Sequence, residues 1–404
     1  MKSTFKLNIL AASVLAATSF ASLAGDATTE NANTDGFDTS IDLSFRYRIE
    51  TVDQSGFAKD AKASTVRTRA TIKTSWTDSI SSVIEFDDVS EIGWDNYNGG
   101  AGTTPNRTQY PVIADPQGTE VNQAYLRYTN GDTKVAFGRQ RILIGNQRFV
   151  GGVGWRQNEQ TYDGLTYKTK LMKDAEFNYA YVYNVNRIFG ESVAGGNHDH
   201  NTHLINADYK VAGGKLSGYF YAIDNNDALA LSNNTFGVRY AGKLDDLSYT
   251  LELATQSDAG DNPNNYSATY YLLDASYKIG SGSLGAGIET LGGDQSSGQG
   301  FTTSLATLHG FQGWADVFLA TPSSGIQDIT VKGAYKLNGY TLKAIYHDFS
   351  TEQGGTNLGT EIDLLIAKKF NKNFSGLLKF ASFSSDNAGF ASRDKIWLML
   401  TYKL

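Results

Sequence analysis

Arginine is the residue type best placed to do chemistry in this sequence. Arg46, Arg48, Arg67, Arg69 and Arg127 sit in segments of alternating polarity, and Arg139, Arg141, Arg148 and Arg156 cluster in and beside one polar stretch. A guanidinium is always charged and presents a planar fork of donors that matches carboxylate, phosphate or sulfate. We take these nine residues as the substrate-binding set for an anionic solute. The same arginines could instead pair with acids of the chain and stiffen it. Such acids stand at Glu85 and Asp87, and later at Glu252, Asp274, Glu289, Asp328, Glu361 and Asp363. A basic wall facing an acidic one across water would create a transverse field.

Other chemistries lack their groups. The five histidines are His198, His200, His203, His309 and His347. His198-Asp199-His200 lies in a polar Gly/Asn stretch and reads as a solvated loop rather than a zinc site. A lipase at a barrel rim would need a Ser–His pair facing lipid, and no serine stands out as a partner for His203 or His347. Glycines track turns and form no phosphate cradle. The chain has no Cys, which excludes a disulfide scaffold and Cys-ligated zinc. No cofactor or metal is expected, and a net charge of -7 disfavours nucleic acid.

The elements that position the arginines are strands. In Ile41-Asp42-Leu43-Ser44-Phe45-Arg46-Tyr47-Arg48-Ile49-Glu50, the apolar residues share one face and the polar ones the other. About 18 such segments follow one another: 39–51, 65–76, 81–90, 120–129, 133–140, 161–169, 175–184, 202–210, 215–224, 233–243, 247–256, 266–279, 283–291, 326–337, 340–349, 358–370, 374–383 and 393–404. Tight-turn sequences such as Asn130-Gly131-Asp132, Gly213-Gly214 and Asn338-Gly339 alternate with long polar stretches. Short turns on one rim and long loops on the other are the layout of an outer-membrane barrel.

The expectation is therefore an all-β protein: a transmembrane antiparallel barrel with short periplasmic turns and long extracellular loops. A mean hydropathy of -0.34 fits, because barrel strands alternate and average out. Beyond residue 24 no apolar run approaches the roughly 18 residues of a spanning helix. A soluble β-sandwich would leave edges to protect, whereas strands in lipid must close on themselves. Lys2, Lys6, the apolar Leu7 to Ala17 run and Ser22-Leu23-Ala24 predict a signal peptide over 1–24, leaving 25–404 as a single barrel domain. The last strand presents Ile396, Leu398, Leu400, Tyr402 and Leu404 on one face. It looks like the C-terminal strand that barrel-assembly machinery reads, although such signals more often end in Phe or Trp.

Parity then places Arg46, Arg48, Arg67, Arg69, Lys73, Arg127 and Lys168 toward the lumen. Arg139 has the wrong parity and belongs at the rim or on an inward loop. The longest loops, 91–119 and 292–325, are expected to fold inward. Leu308 to Asp316, rich in Gly and aromatics, suits a constriction or a sugar-stacking platform.

Two stretches resemble a known family. Gly138-Arg139-Gln140-Arg141, Arg148-Phe149, Trp155-Arg156-Gln157-Asn158 and Thr161-Tyr162-Asp163-Gly164 look like the alginate-export outer-membrane porins, as does Ala306-Thr307-Leu308-His309-Gly310-Phe311-Gln312-Gly313-Trp314-Ala315-Asp316 with Thr321-Pro322. The resemblance implies an 18-stranded monomeric barrel with an arginine-lined pore suited to anionic polyuronate. By position, Arg139, Arg141, Arg148 and Arg156 would be loop or pore-mouth arginines. The chain looks shorter than the alginate exporters themselves. The function expected is passive diffusion of small hydrophilic solutes, favouring uronates or oligouronates, with no enzyme activity. Outer-membrane lipid, lipopolysaccharide, the assembly machinery and small anionic or sugar-like solutes are the expected partners. A structural or adhesion barrel and a lipase-type barrel are the alternatives.

Overall fold

The computed structural model describes residues 37–100 and 102–404, so the expected signal peptide lies outside the described residues. Twenty strands follow in chain order. They are β1 (Asp38–Gln54), β2 (Ala61–Ser75), β3 (Ile80–Asn96), β4 (Gly118–Asn130), β5 (Thr133–Gln140), β6 (Thr161–Met172) and β7 (Ala175–Asn186). Then come β8 (Asn197–Val211), β9 (Gly214–Ile223), β10 (Asn233–Leu244), β11 (Leu247–Asp258), β12 (Ser267–Ile279) and β13 (Gly282–Leu291). The rest are β14 (Gly293–Asp294), β15 (Gln299–Gly300), β16 (Ile326–Leu337), β17 (Tyr340–Ser350), β18 (Asn357–Lys369), β19 (Phe374–Ser385) and β20 (Arg393–Lys403). β14 and β15 make a small hairpin of their own in one loop; the other 18 form one antiparallel sheet.

That sheet closes on itself. β1 pairs with β2 on one side and with β20 on the other, with Tyr47 opposite both Val66 and Leu400. Closure gives every strand two neighbours, which lipid demands of backbone groups. Alternation decides which face meets lipid. Leu126, Phe137, Phe236, Leu253, Leu284 and Val331 are all exposed, as expected for an outward apolar band. Ile396, Leu398 and Tyr402 of the last strand share that exposure. Trp76, Tyr128, Tyr209 and Tyr277 are exposed beside the short turns, where aromatic girdles form. The turns have the chemistry they need. Asn338 and Gly339 both hold positive φ, 50° and 80°, the geometry of a tight hairpin.

Several strands run past their expected ends on the long-loop side. β1 continues to Gln54, β3 to Asn96, and β8 begins at Asn197. Above the membrane both faces are polar, so the alternation that marks a strand fades while its ladder continues.

Loops descend into the extracellular half of the lumen. Of the loop 292–325, residues 301–325 enter, and the loop 91–119 sends Asp115 inward to Arg48. Residues 141–160 also enter and bind the 301–325 stretch. Gly151 N–H donates to Leu305 O at 2.8 Å and Thr307 N–H to Gln147 O at 3.0 Å. An aromatic core packs around them: Phe149 lies 5.6, 5.1 and 5.7 Å from Tyr219, Tyr270 and Phe301. Phe318 packs on Phe349, Phe383 and Phe390. The lumen is thus narrowed by packed loops, not lined by water alone.

Candidate solute pathway

Strands β1 and β2 place Arg46 directly opposite Arg67, a like-charge pair that needs compensation. The 141–160 loop supplies it. Arg46 Nε donates to Gln157 Oε1 at 2.9 Å, its Nη1 to Gly154 O at 2.9 Å, and its Nη2 to Arg156 O. Arg48 binds Asp115 at 2.8 Å and stacks over Trp155 at 4.5 Å. Arg69 grips Asp87, with Nε to Oδ1 at 2.6 Å, and Glu159 at 2.8 Å. Arg67 lies 3.8 Å from Glu159, and Arg141 pairs with both Glu85 and Glu159. Arg156 reaches Glu50 and Asp316, each at 2.9 Å. Arg148 binds Glu289 at 2.7 Å, across the lumen.

Of the nine arginines in the expected set, Arg46, Arg48, Arg67, Arg148 and Arg156 are buried. Their donors hold loops to the wall. Burial alone would raise the loop carboxyl of Glu159, but Arg69 and Arg141 outweigh it and hold the group at about 2. Burial likewise opposes ionisation of Asp115, yet Arg48 and Arg156 bring it below the usual range. Arg139 stands on the outer face of the rim. It pairs with Asp163 at 2.8 Å and with Glu191, as its parity required, so it lies outside the lumen.

The His309 to Asp316 segment is clamped rather than open. His309 Nδ1 lies 2.7 Å from Asp316 Oδ1, and its Nε2 accepts from Lys379 Nζ at 2.6 Å. The Lys379 ammonium sits 3.6 Å from the Trp314 ring centroid and 4.4 Å from that of Trp155. Trp314 N–H and Ala315 N–H donate to Asp363 and Glu361. The aromatic surface expected to stack sugars is occupied by the chain's own lysine, a cation–π arrangement. His347 makes a comparable internal pair, 2.9 Å from Asp328 and 3.4 Å from Asp363.

Beneath the loops, toward the short turns, the interior of β4 to β9 opens into a cavity of about 470 Å³. Arg127, Lys134, Arg141, Lys168 and Lys215 line it, against the acids Glu176 and Asp208. Both acids are engaged, Glu176 by Lys168 at 2.6 Å and Asp208 by Lys215 at 3.0 Å. Among the described residues, Arg127 and Lys134 have no carboxylate within ion-pair distance. Arg127 instead donates to Tyr125 Oη at 2.9 Å and lies over that ring. Lys134 faces Lys168 directly across the β5–β6 ladder. Ile142, Leu143 and Ile144 roof the cavity. Lys134 and Lys215 were missed in the sequence, although parity with Ala136 and Ser217 gives their direction. Asp115, Glu159 and Asp316 were missed because a loop carboxylate has no periodicity to reveal its direction.

The family comparison decides what this barrel is. The model for alginate export matches residues 37–364. The chain belongs to the alginate export family. It is a porin-type β-barrel of the bacterial outer membrane. No curated protein sequence matches it. Solved porins share the fold of this family member at low identity. Pseudomonas aeruginosa OccK9 (OpdG) is 15% identical, with a TM-score of 0.70 over 91% of this chain and 98% of that one. Acinetobacter baumannii OccAB4 is 15% identical, with a TM-score of 0.69 over 93% and 100%. Pseudomonas aeruginosa OccK11 (OpdR) is 14% identical, with a TM-score of 0.68 over 91% and 97%.

Proposed function

We propose that this alginate-export-family porin passes small hydrophilic solutes by passive diffusion and favours anionic ones, uronates and oligouronates among them. The observation that carries this reading is the charge of the vestibule under the loops. Five cations line it against two carboxylates, and Arg127 and Lys134 face its water unpaired. A lumen walled by low-dielectric protein focuses such a field and raises the local concentration of anions. The deeper arginines contribute by a different route. Asp115, Glu85, Asp87, Glu159, Glu289, Glu50 and Asp316, the acids they touch, are each held in an ion pair. The signal peptide, recognition of β20 by barrel-assembly machinery and contact with lipopolysaccharide belong to the same proposal.

Reversal potentials across a planar bilayer under a KCl gradient test it. The wild type is expected to pass chloride more readily than potassium, and glucuronate is expected to compete with chloride. A cation-selective channel, or one indifferent to glucuronate, contradicts the reading. Absence of conductance under any condition would favour a structural or adhesion role.

A further inference from the structure

Among the described residues, the lipid-facing wall near the short turns carries a charge on one strand, β18. Among the described residues, outward-facing charges at Asp53, Asp88, Arg139, Asp163, Asp348 and Asp394 stand in the middle or at the loop ends of their strands. Toward the short-turn ends a single outward cation stands, Lys368 of β18, opposite Tyr340 of β17. Its ammonium lies 4.0 Å from the Tyr340 ring centroid and 5.8 Å from that of Phe370. Both rings are exposed. Lys368 is therefore held at the periplasmic interface between two aromatic faces.

Next to it the wall is hollowed. The register aligns Leu284, Gly333, Ala344 and Leu364 in one row across four strands. The two middle positions carry nothing larger than a methyl group, and the outer two are exposed leucines. The row toward the turns is Gly282, Tyr335, Leu342 and Ile366, and the next reaches Leu337, Tyr340 and Lys368. Together the first two rows line a groove of about 600 Å³. Four residues separate Lys368 from the row of Gly333 and Ala344, roughly 13 Å along a strand at 3.3 Å per residue. On a strand tilted by about 40° that is roughly 10 Å of depth, past a headgroup region of about 5–8 Å and into the acyl chains.

We propose that this seam binds one anionic glycerophospholipid of the periplasmic leaflet. The phosphate pairs with Lys368, Tyr335 and Tyr340 flank the headgroup, and an acyl chain lies in the trough over Gly333 and Ala344. Charge complementarity selects the occupant. A second copy of the chain would bring the same lysine and no opposite charge to this seam, whereas an anionic lipid supplies both the charge and the apolar tail. The proposal is independent of which solute the pore favours.

Native mass spectrometry of the detergent-purified barrel, incubated with equal amounts of phosphatidylglycerol and phosphatidylethanolamine, tests it. The wild type is expected to retain phosphatidylglycerol several-fold over phosphatidylethanolamine. Lys368→Gln should abolish that preference while leaving weak retention of both. Gly333→Leu should lower retention of both, because the trough is filled. A Cβ at Gly333 meets only Leu284 Cδ2 at 3.5 Å and Ser283 O at 3.9 Å, so that variant has room to fold. Equal retention of the two lipids by the wild type, or an unchanged preference in Lys368→Gln, overturns the site. A lipid-independent dimer lost in Gly333→Leu overturns it too, since the groove would then be covered by another copy.

Discussion

The two basic regions of this interior use the same charge in opposite ways. In the extracellular half, Arg46, Arg48, Arg67, Arg69 and Arg156 converge on loop acids and carbonyls, and each is buried or nearly so. In the vestibule, Arg127 and Lys134 meet water and no acid. Depth decides the difference. A buried charge must be paired, because leaving it uncompensated in low dielectric is costly. A charge at the edge of a water-filled cavity is solvated and stays free to attract a mobile ion. The first region holds the loops in place, and the second is the proposed source of the field. The same amino acid therefore cannot be assigned a role from its type and parity alone.

The loops depend most on Arg156. Its guanidinium joins β1 to two loops through Glu50, Asp115 and Asp316. Arg156→Ala leaves these buried acids short of a partner, a change that typically costs about 3–5 kcal/mol. We expect a large fall in the temperature of heat-modifiable gel migration and new protease cleavage in 301–325. An unchanged melting point would show that the loops do not depend on this pair.

The next effect is on selectivity without stability. Arg127→Gln with Lys134→Gln should bring the anion-to-cation permeability ratio close to one. Stability should move by no more than about 0.5 kcal/mol, the usual range for exposed substitutions.

Acid should separate the two regions. The folded Glu159 carboxyl titrates at about 2 against an ordinary value of 4.5. Its contribution is fully present above that ordinary value and is lost as pH falls through about 2, a linkage of roughly 3 kcal/mol at 1.36 kcal/mol per unit. Loop protection measured by hydrogen exchange should therefore weaken between about pH 4.5 and 2. Glu159→Gln should flatten that dependence. An equal slope in both proteins contradicts the assignment.

The smallest expected effect is at Tyr162, whose buried hydroxyl donates to Gly151 O at 2.7 Å. The same hydroxyl accepts from Gln160 Nε2 at 2.8 Å, so Tyr162→Phe should cost about 1–2 kcal/mol at roughly 1 kcal/mol net per hydrogen bond, seen as a small shift in melting without change in conductance.

The fold was readable because its signals are periodic. Ile41 to Glu50 declares two faces, and Asn338-Gly339 declares a hairpin. Eighteen repetitions of this grammar leave a closed barrel as the outcome consistent with lipid. The direction of Arg139 followed from the same parity. The fate of the arginines was not readable. Asp115, Glu159 and Asp316 come from loops without period, and their pairing depends on how those loops descend. The entry of residues 141–160 had only compositional hints, in the run Trp155-Arg156-Gln157-Asn158. Lys379 was hidden because a lone lysine on a strand gives no warning that Trp155 and Trp314 will enclose it.

In the proposed mechanism, unpaired vestibule cations set selectivity while paired arginines hold the loops. Reversal potentials of two double variants, taken in the same bilayer, test this most directly. Arg127→Gln with Lys134→Gln removes two free charges; Arg69→Gln with Asp87→Asn removes one cation and one anion that are already paired, with no change in net charge. We predict that the first loses anion preference and the second keeps it. Retention of preference in the first and its loss in the second would contradict the account.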